Sequence, residues 1–541
     1  MTLPDPVVLN PSQVWDGNDG PWSTFFMQIG NPPRAIRVLI STISGNIFAI
    51  LPDGCATVGY PTNCPSLRGF DVTVNESSTW IANKPNSTRD PYFSLSIEDR
   101  LGISGYGEFG FDSATMSAIG AGGPTVNHTS IAGIATSEFW LGLVGVSPQS
   151  QNFTSLEDPQ PSYLSLLKQH NKIPSLSFGY TAGNQYSLSG IYGSFVFGGY
   201  DASRFTANGY SFDFGESENG QDLYVGLQSI TAYSTNVSFG GTKTLLPNPI
   251  YALIDSTVPE LWLPMEACEA FETAFGLVHN NETDRYLVNG SLQANLRAQN
   301  PTFTFELGNI DTGPPSVTLN LSYAAFDLIV GYPIVTSNYP YFPLRRAANA
   351  SQYTIGRMFL QETYLTVDYE RRNFSLNQAL FSRNTSQQLV TIKPLGEAQN
   401  KGLSSGGIAG IVVAIVAFIV MGSVGYLIYK KQRKRKEQRA KEARDAKEVV
   451  QAEAEVERIR IETLGQELEA KNLPELGHNQ QIPAETDGTA LPGHELEDVN
   501  VRGELEGVQS ELWEMDGNDA RRHELPGDDL DLPEMGISRS R

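Results

Sequence analysis

The sequence has few of the residues that build metal centres or dense disulfide frameworks. It holds three cysteines and six scattered histidines in 541 residues. We therefore expect no zinc cluster, no other metal site and no cofactor. A surplus of positive charge is also missing, since the net charge is -22. This excess of acid argues against nucleic-acid binding and suits an acidic or wall-associated environment.

Charged residues are absent from one long stretch, residues 408–429. As a helix of about 1.5 Å per residue, this stretch is roughly 33 Å long and can cross a bilayer. Six basic side chains follow within residues 430–436. The positive-inside rule then predicts a single transmembrane helix, with the preceding residues outside and the C-terminal tail in the cytosol.

Glycosylation sequons support the same orientation, because all of them precede the predicted span. Each is an Asn-X-Ser/Thr triplet, and the eleven asparagines are Asn75, Asn86, Asn127, Asn152, Asn236, Asn281, Asn289, Asn320, Asn349, Asn373 and Asn384. The asymmetry predicts a glycosylated ectodomain. The first residues show neither the basic start nor the apolar run of a signal peptide. We therefore expect the natural chain to begin further upstream.

Two similar segments are the main candidates for a functional site. In residues 251–262 an apolar run leads to Asp255, and two hydroxyl residues follow it. A carboxylate at the end of a buried strand can have a shifted pKa, although a solvated loop acid is the plainer alternative. Residues 37–48 repeat the shape a little more than 200 residues earlier, with Ser41 in place of the acid. This spacing suggests an internally duplicated protein.

These segments resemble the two Asp-Thr-Gly-Ser/Thr motifs of the pepsin-like aspartic peptidase family, peptidase A1. Further segments resemble that family in the family's order: residues 22–34, 107–116, 142–147, 193–205 and 354–374. The resemblance implies an all-β, bilobal acid-protease fold, with one lobe at residues 1–200 and the other at 201–395. It also implies a small disulfide loop between Cys55 and Cys64, and leaves Cys268 with no partner that we can identify. That loop would contribute about 2–3 kcal/mol.

Catalysis in this family, as the resemblance implies, uses two carboxyl groups that share one proton. Ser41 carries no charge and cannot act as a carboxylate. No histidine lies near it in sequence to activate it as a nucleophile. Ile43 and Thr257 occupy positions where the family has glycine, which tolerates close contacts that a Cβ obstructs. We therefore expect altered catalytic loops and impaired activity.

Of the other positions near the site, some retain the family's residues and some do not. Thr42 and Ser256 retain the hydroxyl groups that tie the two loops together in the family. The Tyr-Gly pair of the family's flap, which closes over substrate, is replaced by Arg100 and Leu101, and Tyr106 lies out of register. The sequence thus predicts a retained scaffold with a degenerate flap.

Three functional hypotheses remain open. The first is a membrane-anchored, catalytically impaired surface protein that binds peptide or cell-wall polymer, or serves as a scaffold, while its tail contacts cytosolic proteins. The second is an active aspartic endopeptidase in which Asp53 or Glu108 supplies the second acid beside Asp255. The third is a structural glycoprotein without a ligand. Because a sequon-rich ectodomain on a C-terminal anchor resembles membrane-attached fungal relatives, we expect the plasma membrane, with a vacuolar or endosomal membrane as the alternative.

The remaining segments have simpler compositions. Residues 396–407 are rich in Gly and Ser and predict a flexible stalk before the span. Residues 430–471 predict a basic and then helical cytosolic segment. Residues 472–541 are acidic, with scattered Pro and Gly, and predict a disordered tail.

Overall fold

The computed structural model describes residues 3–57, 59–83, 92–152, 157–215, 222–382 and 386–396, with scattered helical residues between 430 and 460. Residues 1–405 form one compact unit, and residues 406–541 form another. The predicted span at 408–429 and the predicted tail at 472–541 lie outside the described residues. Within the described part of the chain, no helix has the length and apolar composition that crossing a bilayer requires.

The first unit is built almost entirely from strands, so the prediction of an all-β fold is confirmed. Its described strands run in chain order as β1 (Val7–Leu9), β2 (Pro11–Asp16), β3 (Trp22–Ile29), β4 (Arg34–Ser41), β5 (Ile47–Ile50), β6 (Ile81–Ala82), β7 (Tyr92–Ser94), β8 (Tyr106–Thr115), β9 (Thr125–Ile134), β10 (Gly142–Gly145), β11 (Gln151–Asn152), β12 (Pro159–Gln160), β13 (Ser177–Asn184), β14 (Ile191–Phe197), β15 (Gly199–Asp201) and β16 (Phe205–Thr206). They continue as β17 (Phe212–Asp213), β18 (Tyr224–Tyr233), β19 (Lys243–Thr244), β20 (Ile250–Ile254), β21 (Leu261–Leu263), β22 (His279–Asn280), β23 (Arg285–Leu287), β24 (Thr302–Gly308), β25 (Ser316–Ser322), β26 (Leu328–Val330), β27 (Tyr339–Phe342), β28 (Leu344–Arg346), β29 (Thr354–Ile355), β30 (Thr363–Asp368), β31 (Asn373–Ala379) and β32 (Leu389–Thr391). The α-helices are α1 (Cys64–Leu67), α2 (Tyr163–Gln169), α3 (Met265–Phe275) and α4 (Gly290–Gln299).

Three large sheets organise these strands. The N-terminal sheet has the order β2-β3-β4-β10-β5-β9-β8-β6, with β7 added against β8. The C-terminal sheet has the order β25-β24-β18-β20-β29-β21-β28, with β19 added against β18. A third sheet, β1-β14-β13-β30-β31-β16 with β17 against β31, takes strands from both parts of the chain. A smaller sheet, β22-β23-β27-β26, and two strand pairs, β11-β12 and β15-β32, complete the set.

The burial of each strand follows from its sequence pattern. In β25, the apolar residues Val317, Leu319 and Leu321 alternate with exposed polar residues, so one face packs on the core and the other meets water. In β20 every residue is apolar or aromatic, β4 has the apolar run Val38-Leu39-Ile40 just before its last residue, and most side chains of both strands are buried. Strands of that kind are covered on both faces and lie in the interior of a sheet.

The two candidate loops follow these two interior strands, and each strand sits in the same pairing pattern. In the N-terminal sheet, β4 pairs parallel with β10, β10 antiparallel with β5, and β5 parallel with β9. In the C-terminal sheet, β20 pairs parallel with β29, β29 antiparallel with β21, and β21 parallel with β28. The repeated pattern places the end of β4 and the end of β20 in equivalent positions, as an internal duplication requires.

A disulfide and a buried arginine brace the loop after β5. Cys55 and Cys64 are bonded, with their Cα atoms 5.8 Å apart, so the predicted disulfide is confirmed. The Arg68 guanidinium donates hydrogen bonds to four backbone carbonyl groups, those of Gly54, Thr136, Phe139 and Trp140. Its burial lowers the pKa of Arg68 to about 10. Cys268 is a free thiol buried in α3.

Candidate functional site

The site forms where the loop after β4 meets the loop after β20. Ser41 is the last residue of β4, and Asp255 directly follows β20. The neighbouring parallel strands fix both backbones: the Asp255 N–H donates to the Ile355 carbonyl at 3.0 Å, and the Val146 N–H donates to the Ser41 carbonyl at 3.0 Å. Ser41 and Asp255 are both fully buried.

A reciprocal set of hydrogen bonds joins the two loops. The Thr42 N–H donates to the Ser256 hydroxyl at 3.1 Å, and the Ser256 N–H donates to the Thr42 hydroxyl at 3.0 Å. The same hydroxyls donate onward across the junction, Thr42 to the Ile254 carbonyl at 3.3 Å and Ser256 to the Ile40 carbonyl at 2.6 Å. Burial of polar groups costs free energy unless they are hydrogen-bonded. These bonds therefore hold the two loops together in one specific arrangement.

The serine at the first motif does not contact the acid of the second. The Ser41 hydroxyl shares a 2.8 Å hydrogen bond with the Thr257 hydroxyl. Thr257 in turn donates its backbone N–H to Asp255 Oδ1 at 2.9 Å. Thr257 therefore lies between the two positions, where the family motif has a glycine without a side chain.

A buried arginine supports the second loop from behind. Arg357 donates to the carbonyls of Ser256 at 2.7 Å and Thr257 at 3.1 Å. Its guanidinium also stacks over the Trp22 ring at 4.4 Å, a favourable cation–π geometry. It lies 3.6 Å from Asp19, a carboxyl whose pKa is raised by burial in spite of this positive charge. The sequence segment at 354–374 contains Arg357, but its role was not predicted.

The segment between β7 and β8, residues 95–105, folds inward over Asp255; we name it the hairpin tip. Arg100 of the hairpin tip donates to Asp255 Oδ2 at 2.5 Å and to the Thr354 hydroxyl at 2.6 Å. The Arg100 carbonyl accepts a 2.8 Å hydrogen bond from the Gln352 side chain. The remaining acid of the two motifs is thus paired with a cation from the same chain.

A second carboxyl group, Glu98, is buried beside this ion pair. Glu98 is fully buried, and its Oε2 lies 3.4 Å from Arg100 Nη2. Burial raises the pKa of Glu98 well above its ordinary value, and the nearby charge of Asp255 raises it further, while Arg100 opposes both. The two Glu98 oxygens lie near Asp255 and the Thr257 hydroxyl, without a hydrogen bond of ordinary geometry among the described residues. When Glu98 is protonated, its O–H group can donate a hydrogen bond to Asp255. Two facing carboxylates have only acceptors and cannot form this bond.

Apolar contacts complete the closure of the hairpin tip. Leu101 is buried in a small cluster with Val258 and Trp262, against which Ile103 and Ala347 also pack. Leu101 and Val258 are 5% and 4% exposed, so this contact is dry. Asp255 is consequently sealed from solvent by the hairpin tip.

An open cavity of about 580 Å³ lies next to the sealed acid. The second loop lines it with Thr257, Val258 and Pro259, and the hairpin tip lines it with Gly102, Ile103 and Ser104. Its apolar wall includes Leu39, Phe139, Trp140, Leu141 and Leu143, and its charged wall includes Asp19, Glu260, Arg285, Arg345 and Arg357. Cavities of this size and mixed lining are typical of ligand sites.

Asp53 and Glu108, the two residues considered as a second acid, both lie near Tyr92 of β7. Asp53 accepts a hydrogen bond from the Tyr92 hydroxyl. Glu108 lies within β8, opposite Tyr92 of β7. The carboxyl group that faces Asp255 is Glu98. Its signal in the sequence was the run Glu98-Asp99-Arg100, which brings charges of both signs into the segment that resembles the family's flap.

Across the described residues, no group of three or more His, Cys, Asp or Glu side chains is arranged to hold a metal ion.

Comparison with known proteins identifies the family. The family model for eukaryotic aspartyl proteases matches residues 25–379, which is more than half of the chain. A curated relative, secreted aspartic protease 7 of Candida albicans, is 26% identical over 207 residues. That match covers 37% of this chain and 31% of the relative, so it spans less than a third of the relative's length. With the paired loops, the repeated strand pattern and the family match together, the chain belongs to the eukaryotic aspartyl protease family.

Proposed function

We propose that this protein is a single-pass membrane glycoprotein whose pepsin-like ectodomain is catalytically impaired and acts as a surface binding or scaffold protein. The observation that carries the proposal is the arrangement around Asp255. Ser41 stands at the first acid's position and bonds to Thr257, while Arg100 pairs with Asp255.

The chemistry of peptide hydrolysis explains why this arrangement is unfavourable. One carboxylate must take a proton from water while a protonated partner donates to the scissile carbonyl. Ser41 provides neither a carboxylate nor a carboxylic acid. The Arg100 guanidinium is paired with Asp255 and covers one of the oxygens with which the acid would take a proton from water. The closed hairpin tip also excludes a substrate from Asp255.

The cavity beside the second loop supports the binding part of the proposal. It remains open while Asp255 is sealed, and its apolar and charged walls suit a peptide or a cell-wall polymer. The name of the Candida relative describes a secreted aspartic protease, which favours a peptide as the ligand.

The membrane and glycan parts of the proposal rest on sequence and surface position. The uncharged stretch at 408–429 and the basic residues after it favour a plasma-membrane protein with a cytosolic tail that contacts cytosolic proteins. A vacuolar or endosomal membrane is the alternative. Nine sequon asparagines lie in the described residues, and seven of them are exposed: Asn75, Asn127, Asn152, Asn281, Asn289, Asn320 and Asn349. Exposure is what attachment of a glycan requires.

A second candidate function is an active aspartic endopeptidase, and the position of Glu98 favours it. A buried carboxyl with a raised pKa beside Asp255 is the kind of pair that shares a proton. In this candidate function, Glu98 would supply the second carboxyl group, because position 41 carries a serine in place of the first acid. The obstacle is that both carboxyl groups are fully buried under the hairpin tip.

The deciding experiment measures peptide cleavage by the full chain in detergent. A diverse quenched-peptide library would be incubated from about pH 3 to 7, which brackets carboxylate titration. We expect no cleavage by the wild type, and none by Asp255→Asn or Glu98→Gln. Acid-dependent cleavage by the wild type that both substitutions abolish would establish the endopeptidase instead.

A companion set of variants separates the causes of impairment. Ser41→Asp restores the first acid, and Arg100→Gln frees Asp255 from its cation. We expect neither single variant to cleave, because each leaves the other obstacle in place. Activity in Ser41→Asp alone would show that the missing acid is the whole defect.

A further inference from the structure

We propose that the hairpin tip is a proton-dependent latch, which keeps the cleft closed over Asp255 while Glu98 is protonated and opens as Glu98 ionises. The latch would thereby regulate ligand access to the cleft. The inference rests on the proposed function, since it concerns regulation of the same binding site. It adds a specific closing device and the group that controls it.

The geometry shows three kinds of contact that hold the hairpin tip down. The charged contact is Arg100 to Asp255, at 2.5 Å. The polar contacts join Arg100 to Thr354 and to Gln352. The apolar contact is Leu101 against Val258 and Trp262. All three act between the hairpin tip and the C-terminal part of the unit, so they are made or lost together.

The proton on Glu98 decides whether the charges in this contact balance. Arg100 faces Glu98 from the same segment, and Asp255 faces it from the loop after β20; the Thr257 hydroxyl is the nearby polar group. Tyr224 lies near Arg100 and Asp255, and burial raises its pKa, so it stays neutral. With Glu98 protonated, one cation faces one anion. With Glu98 ionised, one cation faces two buried anions that repel each other.

The direction of the pH effect follows from this asymmetry. The closed latch binds the Glu98 proton more tightly than an open latch, in which Glu98 is hydrated and titrates as an ordinary glutamate. The contribution of Glu98 to the closed state is therefore fully present below the ordinary glutamate range. This contribution is lost as the pH rises from that range towards the raised pKa of buried Glu98.

Opening of the latch would change the binding surface itself. Gly102, Ile103 and Ser104 of the hairpin tip form part of the wall of the 580 Å³ cavity. Their movement would join this cavity to the space over Asp255. A longer ligand could then lie along the cleft at neutral pH than at acid pH.

The test is hydrogen–deuterium exchange of the full chain in detergent, followed in peptides that cover residues 95–105. Rates at pH 5, 6, 7 and 8 would be corrected for the intrinsic pH dependence of amide exchange. We expect the protection of the hairpin tip to fall by up to about tenfold per pH unit above the ordinary glutamate range, because one proton is released. Glu98→Gln should keep the tip protected at every pH, since the amide cannot ionise.

Two further variants make the result specific. Glu108→Gln removes a carboxyl from the adjacent strand β8 of the same hairpin and should leave the wild-type pH profile unchanged. Arg100→Gln should expose the tip at every pH. A wild-type profile that is flat from pH 5 to 8 would overturn the latch, and so would a Glu98→Gln profile that follows the wild type.

The outcomes are independent of those for the proposed function. Peptide cleavage that requires Asp255 would refute catalytic impairment, while the exchange profile would still report on the latch. A flat exchange profile in a protein without peptidase activity would refute the latch alone.

Discussion

Arg100 and Asp255, separated by 155 positions in sequence, form a buried ion pair with 2.5 Å between Nη2 and Oδ2. The Arg100 side chain is 12% exposed and that of Asp255 is fully buried. A catalytic carboxylate needs access to water and a proton-sharing partner. Here the Asp255 carboxylate is paired with the Arg100 guanidinium, and this ion pair holds the hairpin tip in place.

Loss of the Arg100 cation should destabilise the protein at neutral pH. In Arg100→Gln, the buried Asp255 carboxylate loses its counter-ion beside a second carboxyl group. Breaking a buried pair by removing one partner costs about 3–5 kcal/mol. We expect a decrease of that order in the free energy of unfolding at pH 7, measured by urea denaturation of the full chain.

A matched arginine on the surface provides the control. Arg297 pairs with Asp327 at 2.5 Å, but its side chain is 59% exposed. Arg297→Gln should lower the free energy of unfolding by about 0–1 kcal/mol. Equal losses in the two variants would contradict the buried character assigned to the Arg100–Asp255 pair.

The free energy of unfolding should depend on pH because of Glu98. Burial raises its pKa in the folded state, so the folded protein binds one proton more than the unfolded protein above the ordinary glutamate range. The free energy of unfolding should therefore fall with pH there, by up to about 1.4 kcal/mol per pH unit. Glu98→Gln should make this slope shallower, as measured by chemical denaturation between pH 5 and 8, while the buried Asp19 carboxyl, whose pKa is also raised, still contributes. The exposed Glu76 offers the comparison, since Glu76→Gln should retain the wild-type slope.

The hydrogen bonds between the two loops should be strongly coupled. Thr42→Val and Ser256→Ala each leave a buried backbone N–H without its acceptor, which costs about 1–3 kcal/mol. Because the two hydroxyl groups belong to one network, the double variant should lose less than the sum of the single losses. A double-mutant cycle by denaturation measures the difference, expected at about 0.5–3 kcal/mol.

An exposed hydroxyl pair shows what an ordinary contact would give. Thr115 and Thr125 share a 2.8 Å hydrogen bond at the surface. Substitution of either by Val should change the free energy of unfolding by less than about 0.5 kcal/mol. Simple additivity for Thr42 and Ser256 would mean that their bonds act independently.

The small disulfide loop should stabilise the folded state to a moderate degree. Cys55→Ala with Cys64→Ala removes a cross-link that spans 9 positions. We expect a loss of about 2–3 kcal/mol, because a short closed loop restricts the unfolded chain only modestly. Denaturation with and without reductant should show a reductant effect in the wild type and in Cys268→Ala, and none in the double variant. An effect of reductant that disappears in Cys268→Ala would assign the cross-link to the wrong cysteine.

The sequence predicted those parts of the site that depend on local pattern. The apolar runs before Ser41 and Asp255 indicated interior strands, and the structure places them in β4 and β20. Thr42 and Ser256 were recognised because the family motif carries hydroxyl residues there. Cys55 and Cys64 were close enough in sequence to suggest their pairing.

The sequence did not predict contacts that depend on how distant segments meet. Arg100 and Leu101 were identified as replacements in the flap, but a local pattern cannot reveal that they reach Asp255 and Trp262. Asp53 and Glu108 were considered as second acids, and Glu98 was overlooked. The buried role of Arg357 was missed for the same reason, because its acceptors, Ser256 and Thr257, lie about 100 positions away.

The hydrogen bonds between Thr42 and Ser256 have a consequence for which substitutions this fold can accept. These bonds are made by the residue after each acid position, and by the backbone, not by the acid itself. Ser41 at the position of the first acid therefore leaves the hydrogen bonds that join the two loops in place. The acid position and the hydroxyl residue that joins the loops are neighbours in the same short motif. A substitution at the first position therefore leaves the second residue unchanged. In this architecture, a change at the acid position does not require a change in the bonds that hold the two loops together.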